Sequence, residues 1–336
     1  MKKQIHNWEK YSDEELLQCR IGQLGLKIQG TELELRVDTL YKELRSKGLN
    51  FYPKCYLGDE WFCPDEVPII SMPFFLASPR LKQLELKTML EVEGGNKLEC
   101  LRLLRHECGH AINYAYKLFK RKKWTKMFGE FSDPYEETYK PRPYSRKFVR
   151  HLEEWYAQYH PDEDFAETFA VWLDPNSNWR ERYKEWAAIK KLEYVDELMQ
   201  SIAGKKPKVS SGSKMAAANR STMTLENYYK KKRRQYAHDL PYFYDRDLRT
   251  FFSEEGSKTA KAFLHKHRKI ILHSISHWTG EPKFMINRLL KNLAERCHQL
   301  ELRVSKDEQE VCFELTAYLA VLTMNYRATG RFIRVP

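Results

Sequence analysis

The chain has 336 residues, room for one large domain or two ordinary ones, and its 42% hydrophobic and 13% aromatic content can fill a core, which excludes a disordered polypeptide. The net charge of +12 sits in the C-terminal third: from Lys205 onward 26 Lys and Arg stand against 13 Asp and Glu, whereas 32 and 33 precede it. That asymmetry points either to an anionic partner or to a solvated helical surface, and the seven cysteines, odd in number and without a close Cys-x-x-Cys pair, exclude a disulfide framework and fit a reducing compartment.

The N-terminus, MKKQIHNWEKYSDEE, has two lysines but no apolar run behind them, so it does not read as a signal peptide. The longest apolar stretch, Leu315 to Met324, is too short to cross a bilayer, and the expectation is a cytoplasmic protein with no membrane partner. Ser12 followed by Glu15 is a capping box opening a short helix. Leu33, Val37, Leu40, Tyr41 and Leu44 recur at helical spacing up to Gly48. The aromatic stretch from Phe51 to Phe62, with Gly58-Asp59 in its middle, reads as a β-hairpin. Val67 to Leu76 reads as an edge strand because of Pro68 and Pro73, and Thr88 to Glu93 as a further strand closed by Gly94-Gly95.

From Lys97 to about Lys123 the pattern is helical. A second amphipathic helix is expected over Ser145–Tyr159, with Phe148, Val149, Leu152, Trp155, Tyr156 and Tyr159 on one stripe. A third runs from Pro161 to just before Pro175; proline in the first turn and Asp162, Glu163 and Asp164 behind it suit the positive end of a helix dipole. More helix follows from Asn178 to about Ile202. The expected domains are a catalytic domain over 1–203, a linker over 204–223 that is rich in Lys, Ser, Ala and Gly, and a basic helical domain over 224–336.

Residues 106–110 read HECGH. On a helix, His106 and His110 lie one turn apart on one face, where two imidazoles can hold one tetrahedral zinc ion; Glu107 beside them can take a proton from water. Leu101, Leu104, Cys108, Ala111, Ile112, Ala115 and Phe119 form a broad apolar face roughly opposite the histidines, so the core needs one side of this helix and the histidines look elsewhere. A zinc site needs a third ligand. Glu163 and Glu167, one turn apart on the third helix, offer a ligand and a hydrogen-bond partner for a histidine. A solvated acidic face is the competing reading of that pair, and Asp164 is an alternative third ligand.

At these residues the sequence resembles the gluzincins, in which an H-E-x-x-H helix is followed by E-x-x-x-E or E-x-x-x-D on a second helix; thermolysin and lethal-factor-type toxins belong there. The resemblance implies Glu163 as the ligand and Glu167 as its supporter. The spacing from His110 to Glu163 is nearer the lethal-factor type, which also places a tyrosine seven residues before the ligand glutamate. Tyr156 stands there, and a phenol at that place can stabilise an oxyanion; a core tyrosine is the alternative. A closer resemblance, over roughly residues 37–200, is to a bacterial family described as "putative zinc-binding metallopeptidases". It rests on GDEWF at 58–62, PFFLASPRL at 73–81, EVEGG at 91–95, LRHECGHA at 104–111 and YAQYHPDEDFAETFAVWL at 156–173. It implies an α+β zincin-like domain, a Zn2+ cofactor and hydrolysis of a peptide or protein substrate. Zincins also pair substrate with an edge strand, which would here be the 67–76 segment. The other reading is a non-catalytic binding protein in which zinc is only a staple.

In the tail, Lys230, Lys231, Lys232, Arg233 and Arg234 are flanked by Tyr228, Tyr229 and Tyr236, a pattern that suits nucleic acid or another polyanion, although such a run is usually only a solvated helix face; for the tail as a whole, a protein partner and a cover for the catalytic domain are equal alternatives. His273 and His277 read as structural, and Ala317–Met324 as a buried helix.

Overall fold

Helix α1 (Asp13–Leu17) starts at the expected capping box: Ser12 Oγ accepts the Glu15 N–H at 3.2 Å while Glu15 accepts the Ser12 N–H at 2.9 Å. The computed structural model describes residues 8–135, 142, 144–152, 155–235 and 245–329. It divides into two units, the first running to residue 228 and the second starting at residue 229 and also taking in 87–91. Among the described residues the architecture is mixed, helices with a small parallel sheet, which agrees with α+β. No helix among them is long and apolar enough to cross a membrane. All seven cysteines are free thiols.

In the first unit α2 (Glu32–Ser46) buries Leu33, Val37, Leu40 and Leu44 and stops before Gly48, whose φ of 72° releases the chain. The expected hairpin does not form. β1 (Lys54–Gly58) pairs in parallel with β2 (Ile69–Pro73), from Lys54↔Ile69 to Gly58↔Pro73. The chain does reverse after Gly58, but Phe62 returns to β2, where its carbonyl accepts the Ser71 N–H at 2.8 Å. A Cβ at Gly58 would stand 2.1 Å from Ser71 Oγ, so the hydroxyl would have to leave the Glu60 carbonyl to which it donates at 2.8 Å. β2 is buried at all five positions, and its centre is bridged by Phe62. The free edge expected for 67–76 is therefore taken at Ser71.

The strand expected over 88–93 is also corrected. Thr88 and Met89 end helix α3 (Pro79–Met89), with Leu81 and Leu84 buried at a helical spacing, and Leu90 turns the chain at φ 68°. Helix α4 (Lys97–Tyr116) is capped by Asn96, whose side chain accepts the Glu99 N–H at 2.9 Å, and ends at Lys117 with φ 51°. Short α5 (Lys122–Phe128) follows.

The helix expected over 145–159 is absent from its described residues, of which 153 and 154 are not part. Turns and bends lead instead to a 3-10 turn at Tyr156–Gln158. Backbone donors that would build a helix are spent elsewhere: the Arg150 N–H donates to Tyr183 Oη at 3.0 Å and the Leu152 N–H to Glu167 at 2.8 Å. α6 (Pro161–Leu173) starts and ends where the sequence predicts, and α7 (Trp179–Arg182) and α8 (Ile189–Ile202) fill the next helical stretch. Residues 204–223, the expected linker, belong to the first unit and run mostly without regular structure, with a 3-10 turn at Ala218–Arg220. Lys208 and Val209 donate to the Ala115 carbonyl at 2.8 and 3.0 Å, and Tyr56 Oη donates to the Met215 carbonyl at 2.9 Å.

Arg105 locks α4 in place. Its guanidinium donates to both Glu43 carboxylate oxygens on α2, at 2.8 and 2.7 Å, and pairs with Asp174 at the end of α6 at 3.1 Å. Arg105 and Glu43 are both buried. Removing the cation strands two carboxylates, so Arg105→Leu is expected to cost about 3–5 kcal/mol. Urea unfolding should show the midpoint falling for Arg105→Leu; an unchanged midpoint would contradict the clamp.

Helix α9 (Leu225–Gln235) begins in the first unit, and the second unit is helical: α10 (Asp245–Phe251), α11 (Ala260–Thr279), α12 (Lys283–Gln299) and α13 (Glu308–Thr329). A two-residue ladder joins β3 (Lys258–Thr259) to β4 (Arg303–Val304). Phe252, Phe263, Ile275, Leu293, Leu315 and Leu319 meet in its core. Part of the basic charge is neutralised locally, Arg296 by Asp245 and Lys261 by Glu295. The side chains of Arg233 and Arg234, and Tyr236 altogether, lie outside the described residues. His273 and His277 face solvent, ring beside ring at 6.1 Å, and belong to no metal-holding cluster among the described residues. One expectation changes here. The stretch 317–324 is buried only along one stripe, since Val321 and Met324 are each 46% exposed.

Candidate metal centre

Helices α4 and α6 make the most intimate contact in the first unit because Gly109 has no side chain. A Cβ there would stand 2.7 Å from Ala166 Cα and 2.9 Å from its carbonyl oxygen. This close approach lets carboxylates at the start of α6 reach imidazoles in the middle of α4. The α6 N-terminus is fixed by Pro161 at its first position and by His160, whose Nδ1 accepts the Asp162 N–H at 3.1 Å. The acids Asp162, Glu163 and Asp164 thus lie in the first turn, at the positive end of the helix dipole.

Two of them turn toward α4. His106 Nε2 and His110 Nε2 lie 3.1 Å apart, and Glu163 Oε2 lies 3.1 Å from the first and 3.2 Å from the second. These three atoms form a nearly equilateral triangle. Two ligand atoms on a tetrahedral zinc at bond lengths of about 2.0–2.1 Å stand about 3.3 Å apart, so the edges match a coordination face. The other ring nitrogens are occupied: His106 Nδ1 lies 2.8 Å from Glu167 Oε1 and His110 Nδ1 lies 2.7 Å from Asp162 Oδ2. Each Nδ1–H donating to a carboxylate leaves both Nε2 lone pairs, with a carboxylate oxygen, directed at one point. Three acceptors so close need a positive charge among them, a proton or a metal ion, and the donor set fits a divalent cation that takes imidazole and carboxylate.

All of these groups are buried. Burial by itself lowers the proton affinity of the two imidazoles, but hydrogen bonds and charge from Glu163 and Glu167 at His106, and from Asp162 and Glu163 at His110, raise both above the ordinary histidine value. Two imidazoliums with Nε2 atoms 3.1 Å apart repel, which opposes a proton on both Nε2 atoms at once in a cation-free site. Binding of a metal at neutral pH is therefore expected to release about one proton, and affinity should rise with pH. Calorimetry in buffers of different ionisation enthalpy measures this directly; zero proton release would show that both imidazoles were already neutral.

Glu107 is 6% exposed and makes no side-chain hydrogen bond among the described residues. Burial pushes its carboxyl up, His106 and His110 draw it down, and Glu163 and Asp162 push it up again, leaving it above the usual glutamate value. Glu167 bridges His106 and the Leu152 N–H. Tyr156 sits with its ring 5.6 Å from that of His106. Asp164, the alternative third ligand, pairs instead with Lys191. Among the described residues the cluster able to hold an ion is His106, His110 and Glu163, whose candidate atoms all lie within 4.8 Å of one another.

Several participants carry no obvious sequence signal. Asp162, which orients His110, also accepts hydrogen bonds from Asn113 Nδ2 at 2.7 Å and Tyr114 Oη at 2.6 Å. Asn113 and Tyr114 follow His110 by three and four residues, the same helix face, and that spacing was the available clue. Tyr135 Oη donates to Glu163 Oε1 at 3.1 Å, and its ring stacks on His160 at 4.0 Å.

Residues 99–209 match the family described as "Putative zinc-binding metallo-peptidase". The family resemblance holds over that segment, which contains every residue of the cluster. No curated protein and no solved structure matches the chain.

Proposed function

We propose that this chain is a zinc-dependent peptidase with a zincin-like catalytic domain in its first unit. The observation that carries the reading is the three-atom triangle of His106, His110 and Glu163, with the carboxylate of Glu107 beside it and without a side-chain hydrogen bond among the described residues. Three protein donors suit a catalytic zinc, whereas a structural zinc takes four. A bound zinc would polarise a substrate carbonyl and bring the pKa of water down to about 7.

The chain's own groups supply the rest. Glu167 and Asp162 hold the two imidazoles in the tautomer that presents Nε2. Tyr135 engages the second oxygen of Glu163 and so favours ligation through one oxygen only. Glu107 takes the proton of the attacking water and hands it to the leaving amine, a role helped by its raised proton affinity. Tyr156 donates its hydroxyl to the oxyanion, supported by its position against His106. The seven free thiols favour action in a reducing compartment.

Incubating the purified chain with a peptide library tests this. Cleavage should be abolished by a chelator, restored by stoichiometric zinc, and accompanied by one zinc per chain that His106→Ala removes. A chain that binds one zinc but cleaves nothing would favour the staple reading; a chain that cleaves in excess chelator would overturn the metal dependence.

A further inference from the structure

Helix α13 buries Val311, Leu315, Leu319 and Leu322 in the core of the second unit. Its opposite side faces solvent, and that side is apolar. Phe313 is 77% exposed and Val321 and Met324 are 46% exposed, with Ala317 exposed and Ala320 partly so. Residues Glu310, Phe313, Ala317, Ala320, Met324 and Arg327 follow one another at alternating steps of three and four. That is the seam of a helix built to pack along a second helix.

The order along the seam identifies the partner. Reversed end for end, the seam matches itself: Phe313 exchanges with Met324, Ala317 with Ala320, and Glu310 with Arg327. Two copies packed antiparallel about a two-fold axis near Tyr318–Leu319 would set each large side chain against a large one on the partner. The four small alanines at the centre would let the helix axes approach closely. At each end a glutamate would approach an arginine of opposite charge, one whose Nη1 already donates to the Thr279 carbonyl at 2.6 Å and is held in place by it. An isologous interface requires this self-complementarity, and an unrelated partner would not.

We propose that α13 is a homodimerisation helix, pairing antiparallel with α13 of a second copy in this register. The pairing is independent of the metal site and stands or falls without it. The exposed strip is narrow, so the dimer is small in buried area and its population depends on concentration.

Sedimentation velocity of the full chain over a concentration series tests the proposal. The wild type should shift from one to two chains as concentration rises. Ala317→Glu should stay monomeric with unchanged circular dichroism, because the side chain points to solvent in the single copy. The register has its own test. Glu310→Arg alone and Arg327→Glu alone place like charges at both ends of a homodimer, and each should weaken it roughly tenfold. An equimolar mixture of those two variants pairs Arg with Glu at both ends and should recover association as a heterodimer. A monomer at every concentration, a dimer indifferent to Ala317→Glu, or a mixture no tighter than its parts would each overturn the proposal.

Discussion

Glu107→Gln is expected to lower kcat/KM for peptide hydrolysis by about three orders of magnitude, a loss near 4 kcal/mol of transition-state stabilisation. The amide keeps the size and shape of the carboxylate but cannot take a proton. Glu107 makes no side-chain hydrogen bond among the described residues, so the substitution strands no partner. The triangle of His106, His110 and Glu163 does not involve it, so zinc content should remain one per chain and KM should move little. The fold should be unharmed or firmer. A buried carboxyl whose proton affinity is raised in the native state favours folding at low pH, and that contribution is lost as pH rises through its native pKa. Glutamine removes the penalty of the buried charge at neutral pH, so thermal unfolding should occur at the same temperature or slightly higher. Hydrolysis within tenfold of wild type, at equal zinc content, would remove Glu107 from the chemistry.

The metal cluster was legible in the sequence to the extent that helical periodicity reports it. His106 and His110 are one turn apart on α4, Glu163 and Glu167 one turn apart on α6, and within a helix such spacing fixes which side chains share a face. The resemblance to a metallopeptidase family then paired the two helices. Neither source reports atoms that meet through a loop. Tyr135 reaches Glu163 from the segment between α5 and α6, and Leu152 gives Glu167 a backbone N–H from a segment with no regular structure. Such contacts depend on a tertiary path that no local pattern encodes.

The errors in the fold have related causes. The stripe of Phe148, Val149, Leu152, Trp155 and Tyr156 has helical spacing, yet its backbone groups bind Tyr183 and Glu167, and tertiary hydrogen bonds override the periodicity. The hairpin signal at Gly58-Asp59 was a true chain reversal. Its outgoing arm went to β2, because that strand arrives ten residues later with a run of five buried positions and offers the longer pairing. At α13 the apolar run from Ala317 to Met324 looked buried because composition does not distinguish two apolar faces; one packs in the core and the other remains on the surface.

Gly109→Ala should separate the two helices that make the site, and this is the largest effect expected from a single methyl group. In an isolated helix the change would help by about 1 kcal/mol, since alanine is the better helix former. Here the added carbon would lie 2.7 Å from Ala166 Cα, 2.9 Å from Ala166 O and 3.1 Å from Ala166 Cβ. Two of the three obstacles are backbone atoms of α6, so no side chain can swing aside and the helix itself must move. Overpacking of this kind costs roughly 1–3 kcal/mol, which offsets the gain in propensity and leaves a folded protein. The consequence falls on geometry. Glu163 is three residues from Ala166 on the same helix, and a shift of α6 carries its carboxylate away from His106 and His110. Misplacement on the order of 1 Å costs about a hundredfold in a site that depends on position. Zinc affinity and peptide hydrolysis should therefore fall together by about that factor while circular dichroism stays that of the wild type. Valine, which adds two more carbons at the same contact, should abolish zinc binding. If Gly109→Ala binds zinc as tightly as the wild type, the site tolerates separation of the helices and the close approach at Gly109 serves packing alone.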